Sequence, residues 1–225
     1  MSDHSRAITR PRRFRPLLII AGLAGAVVLS LSMTNTFSAF TASINNSVNT
    51  SASGTLILQE VNLAGGTGST CNSTDGGTIS TNASTCATIN KYGGSTTMVP
   101  TNTGGTTSVS TTAITFKNTG TGIAQSFTLT PGACTQTPNG TPNGTATDFC
   151  AKLNVSIKSG TTVIFTGTAA ALASGGAINV GALATVPAPN GAVVPITFAV
   201  TVDNSAGNTY QGLAASQPLL WTLSS

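Results

Sequence analysis

Few residues in this chain have side chains able to do chemistry: one histidine, five carboxylates, four cysteines and nine basic residues. A zinc-protease helix needs His-Glu-x-x-His, and no such stretch occurs. The sole histidine, His4, lies in the N-terminal arm. A Ser–His–Asp or Cys–His arrangement therefore has no base once that arm is removed. Glu60, Asp75, Asp148 and Asp203 stand singly. A glycosidase pair would have to be assembled by the fold, because no local spacing provides one. Asp75, Asp148 and Asp203 have the turn role in which Asp bonds its own backbone, more than a ligand role. The expectation is no catalytic residue, no metal, no cofactor and no enzymatic activity.

Cys71, Cys86, Cys134 and Cys150 allow three disulfide pairings. Proximity in sequence favours Cys71 with Cys86 and Cys134 with Cys150. A zinc site is the rival reading, but the spacings are wide and no C-x-x-C occurs. Disulfides require an oxidising compartment, and the N-terminus carries an address for one.

Arg10, Arg12, Arg13 and Arg15 precede an apolar run from Leu17 to Leu31, and small and polar residues follow. The run is shorter than the roughly 18–20 residues needed to span a bilayer. The order basic, apolar, small is that of a secretory signal peptide. A retained membrane anchor is the alternative, and Arg12-Arg13 as a twin-arginine signal is another. Small residues at −3 and −1, Thr36 and Ser38, place the cut between Ser38 and Ala39. A cut after Ala39 would put Phe37 at −3. Residues 1–38 are thus the expected leader and 39–225 one secreted or cell-surface domain, which meets a signal peptidase and the membrane only during export.

With the leader go all five Arg, His4 and Asp3. Lys91, Lys117, Lys152 and Lys158 then balance the four remaining carboxylates, and the net charge is zero. Nucleic acid is excluded as a partner, since phosphate binding needs clustered Lys and Arg. Charged residues make up 6% of the chain, against about 25% in an average soluble protein. Such a neutral surface does not oppose self-association.

The elements that would position these residues read as strands. From Phe40 the sequence alternates: Phe40, Ala42, Ile44 and Val48 share one face, with Asn46 interrupting it, and Thr41, Ser43, Asn45 and Ser47 form the other. The alternatives are an ordinary first strand and a disordered terminus. Further strands are expected over 54–61, 109–118, 124–130, 152–158, 161–168, 177–186, 192–203 and 212–224. Phe127 and Leu129 are expected on opposite faces of theirs, and Val163 and Phe165 on one face. Pro195 calls for an edge or a bulge. Residues 168–174 read as one helical turn, and 131–149 as a loop flanked by Cys134 and Cys150. The polar, glycine-punctuated insert from about 64 to 105 reads as a surface lobe stapled by Cys71–Cys86. Short strands between turn signals, with no long helix, predict an all-β antiparallel sandwich.

Three stretches carry a likeness. Ala39-Phe40 is followed by Ala52-Ser53-Gly54-Thr55-Leu56-Ile57-Leu58. Phe116-Lys117-Asn118-Thr119-Gly120 precedes Phe127-Thr128-Leu129-Thr130. Asn208-Thr209-Tyr210-Gln211-Gly212 precedes Trp221-Thr222. In this order they resemble the TasA–camelysin family, secreted matrix and surface proteins of Gram-positive bacteria processed by a SipW-type signal peptidase. The insert has no counterpart in that pattern. The resemblance implies a jelly-roll-like sandwich and fibres in which one subunit's N-terminal strand completes the next subunit's sheet. The expected partners are other copies of the chain or other biofilm-matrix proteins, and Phe40, Ala42, Ile44 and Val48 would line the donated strand. Camelysin-type protease activity is not carried over, because its residues are missing here. The alternative is a cell-surface adhesin that binds through the loops of the insert.

Overall fold

Alternation of buried and exposed residues organises the strands. Val194, Ile196, Phe198, Val200 and Val202 are all buried along one strand, and Leu153, Val155 and Ile157 along another. The computed structural model describes residues 20–24, 50–63, 68–77, 81–100 and 108–225. The chain divides into two units, 1–51 and 52–225. In the first, residues 20–24 are helical. No helix among the described residues is long and apolar enough to cross a membrane. The expected leader cut at Ser38 and Ala39 and the alternating positions Phe40, Ala42, Ile44 and Val48 lie outside the described residues.

The second unit is an all-β antiparallel sandwich. One layer holds six strands: β1 (Leu58–Asn62), β2 (Thr70–Asn72), β3 (Ser110–Asn118), β6 (Leu153–Ser159), β7 (Thr162–Thr168) and β9 (Val194–Val202). Their order is β2-β1-β3-β9-β6-β7. The facing layer is made of β4 (Ser126–Pro131), β5 (Thr135–Pro138), β8 (Ile178–Asn179), β10 (Leu213–Ser216) and β11 (Leu219–Ser224). β11 pairs β4, β4 pairs β8, and β10 pairs β5. β4 runs on towards β5, and β10 towards β11, so the two pairings form one long ribbon interrupted at 132–134 and 217–218. Gly132 N donates to Pro218 O across the interruption at 2.7 Å. Phe116, Phe127 and Trp221 join the layers, with ring centroids 4.4–5.4 Å apart.

Several expectations needed correction. Phe127 and Leu129 are both fully buried on one face, as positions two apart in a regular strand must be. On β7 the buried residue is Ile164 while Val163 is half exposed, because the register with β6 shifts between Ile157 and Lys158. Residues 177–186 give only the two-residue β8 before helix α3 (Val180–Leu183). Asn179 ends that strand by capping: its Oδ1 accepts from Ala182 N at 3.0 Å. The 131–149 loop contains β5 and leads into α1 (Phe149–Lys152). Residues 168–174 do form a short helix, α2 (Ala169–Ser174), capped by Thr168. Pro195 sits in a central strand, but at its start, where β3 flanks it and the β6 pairing has not begun.

The insert is not a free lobe. It supplies β2, and residues 81–100 pack against the sandwich. Ile89 is 4% exposed and belongs to the core, with Tyr92 and Met98 packed against it. The six-stranded layer is wider than its partner, and the insert helps to cover the excess.

Candidate functional site

From Leu213 to Ser224 the chain keeps a period of two through the interruption. Leu213, Ala215, Leu219, Trp221 and Leu223 pack on the core, while Ser216, Pro218, Leu220, Thr222 and Ser224 are exposed. Gln217 occupies the inner parity between Ala215 and Leu219. It is the one polar residue in that inner row, and the Gln-Pro step accounts for the interruption, since proline cannot donate to a ladder.

This ribbon has a free edge. Antiparallel pairing turns alternate residues towards and away from the partner strand. Gly212 O and Pro218 O accept from Asn139 N and Gly132 N, both at 2.7 Å. The even-numbered positions therefore bond to β4 and β5. The odd-numbered positions turn their amides and carbonyls the other way, where no described strand pairs with them.

Beside that edge lies a groove of about 1400 Å³. Leu58, Phe116 and Val200 of the six-stranded layer line it, the β10–β11 ribbon forms one wall, and residues 81–100 form the other. Its volume exceeds the roughly 300–1,000 Å³ of small-molecule pockets. The Trp221 indole lies against Phe116, Phe127 and Phe198, and its Nε1–H is buried with no acceptor among the described residues.

Two polar contacts fix the far wall. Lys91 Nζ lies 2.8 Å from Glu60 Oε1 and donates to Oε2 at 3.0 Å; Oε1 receives no well-angled hydrogen bond. Burial raises the Glu60 carboxyl above its ordinary value, and the Lys91 ammonium opposes that rise. The Tyr92 hydroxyl donates to Gln217 Oε1, which ties the insert to the ribbon. Burial raises the Tyr92 phenol as well.

Cys134 and Cys150 form a disulfide that links the start of β5 to α1. The other expected bond is not formed: Cys71 and Cys86 are thiols. They lie within hydrogen-bonding reach of each other, and burial together with Cys86 pushes the Cys71 thiol up to about 12.

The remaining carboxylates hold turns. Asp75 Oδ2 accepts from Asn72 N at 2.6 Å. Asp148 accepts from the Tyr210 hydroxyl at 2.7 Å. Asp203 accepts from Ser205 and from Asn154. No group of three or more His, Cys, Asp or Glu placed to hold a metal ion occurs among the described residues.

Sequence reasoning missed Gln217, Tyr92 and the Glu60–Lys91 pair. A signal existed only for Gln217, as a polar step in an apolar row. No family model matches the chain, and no curated protein is significantly similar to it.

Proposed function

We propose that the chain is an exported structural protein of the cell surface or extracellular matrix that polymerises by strand donation. The observation carrying this reading is the edge of residues 213–224, with which no described strand pairs, beside a groove of about 1400 Å³. An extended segment adding to such an edge gains backbone hydrogen bonds, and its alternate side chains fill the groove. The segment from Ala39 to Val48 has the required alternation, with Phe40, Ala42 and Ile44 on one face. Donation from one copy to the next is head-to-tail and does not close, so it builds filaments. The likeness to the TasA–camelysin family agrees with this reading and with a SipW-type processing step. The alternative is a cell-surface adhesin using the loops of the insert, of which Ile89, Tyr92 and Met98 pack on the sandwich.

The test is negative-stain electron microscopy of protein beginning at Ala39 beside protein beginning at Val48. The expected result is filaments from the first and dispersed particles from the second. Dispersed particles from both would overturn strand donation.

A further inference from the structure

Rows of side chains on the two candidate partners match in one register only. The inner row of the acceptor edge reads Leu213, Ala215, Gln217, Leu219, Trp221, Leu223. The apolar row of the donor segment reads Phe40, Ala42, Ile44, Asn46, Val48. Each row contains a single amide. We infer that the donor strand of a second copy lies antiparallel to β10–β11 with Asn46 opposite Gln217. This rests on the strand-donation reading and adds its polarity and register.

The amide chemistry supports the match. Gln217 Nε2 donates one hydrogen to Gly132 O at 2.9 Å, and Oε1 accepts from Tyr92. A primary amide has two N–H groups and two acceptor lone pairs. Gln217 therefore retains one of each, and an Asn arriving opposite can use both. Cross-strand neighbours on one face come within about 5.5 Å.

Volumes support it too. With Asn46 at Gln217, Val48 falls opposite Ala215, Ile44 opposite Leu219, Ala42 opposite Trp221 and Phe40 opposite Leu223. The smallest donor side chain meets the largest acceptor ring. Slipping by two residues sets Asn46 against Leu219 or Ala215 and faces Gln217 with an aliphatic chain, leaving both amides short of partners. Slipping by one residue turns the apolar row out to solvent. A parallel strand with the same amide pairing carries Phe40 to Gln211, which is exposed, and leaves Trp221 and Leu223 uncovered.

The register is read by disulfide trapping in the exported protein, with Cys71 and Cys86 replaced by Ser. In the inferred register Ser47 lies opposite Ser216, on the outer face and in a closely spaced, non-hydrogen-bonded pair. S47C with S216C is expected to give a ladder of covalent oligomers when filaments are oxidised. S47C with A214C and N45C with L220C report slips of two residues, and S43C with A214C reports the parallel strand. A ladder from any of these in place of the first overturns the register while leaving strand donation standing. A cross-linked monomer from S47C/S216C overturns both, because the strand then completes its own sheet. Absence of filaments from the parent protein overturns strand donation itself. A second readout needs no cross-link: N46L alone should weaken assembly about tenfold, the cost of one unpaired buried amide. No loss with N46L would overturn the pairing.

Discussion

Asn118 ends β3 with a fully buried side chain, which three hydrogen bonds hold in place. Its Oδ1 accepts from Gly120 N at 3.0 Å and from Ile57 N at 3.5 Å, and its Nδ2 donates to Gly122 O at 2.9 Å. One side chain thus closes the β3–β4 turn and ties it to the segment leading into β1. The turn needs glycine as well: a Cβ on Gly120 would stand 2.0 Å from Thr55 O. Replacing Asn118 by Ala strands buried backbone groups, and about 1–3 kcal/mol of stability should be lost, read as a lower denaturant midpoint with unchanged slope. Glu60 gives a pH dependence of defined sign. Burial raises its folded pKa above the ordinary 4.5, so the native state holds a proton that the unfolded chain has released. Its contribution is complete below about pH 4.5 and is lost as pH rises through the folded pKa. Unfolding midpoints taken across that window should fall with rising pH, and Glu60→Gln should flatten the fall. Asp203 acts in a separate window: hydrogen bonds from Ser205 hold it below 3.8, so its contribution is lost only as pH drops through that lower range.

At the scale of elements, the Cys134–Cys150 bond does what a larger core would do elsewhere. It closes a loop across a sequence separation of 16 and holds α1 against the start of β5. Phe149, buried in that helix, accompanies it into the core. Replacing both cysteines by Ser should cost about 2–5 kcal/mol, seen as a drop in melting temperature, while the Cys71→Ser, Cys86→Ser pair should melt near the parent because no bond is lost. Legibility in the sequence followed the same division between regular and irregular chain. β6 and β9 were readable because each alternates along most of its length and has one buried face; β3 was readable from Ile114 and Phe116, although Thr115 between them is buried too. β5 was not, since Thr-Gln-Thr-Pro has no apolar row and is a strand only by virtue of its partner β10. α3 was hidden for the opposite reason: Ala, Gly, Val and Leu fit either helix or strand, and the Asn179 cap decided between them. The acceptor edge was read as one strand, and its amide step went unnoticed, because Gln217 has meaning only once Tyr92 is brought to it from 125 residues away.

For the whole molecule, the open question created by the fold is how an unequal sandwich manages its narrower layer. The narrower layer ends at β8 on one side; on the other, the irregular insert lies across the groove from β11, and no described strand pairs with that edge. Edges of this kind are usually blunted by charge, by proline or by covering chain. Here Pro218 is the only proline along 213–224, and no Lys, Arg, Asp or Glu lies in that stretch. With the leader removed, net charge is zero, so nothing electrostatic opposes the approach of a second copy. An edge left this bare is suited to pairing, and pairing by a short, separable segment can be competed. A synthetic peptide with the sequence of residues 39–48, in excess over subunits, should occupy acceptor edges and stop filament growth. Light scattering should then plateau early and micrographs should show short filaments. A peptide of the same composition in scrambled order should change neither, because the edge reads alternation rather than composition. Equal inhibition by both peptides would place the affinity in nonspecific apolar contact and remove the edge from the account of assembly.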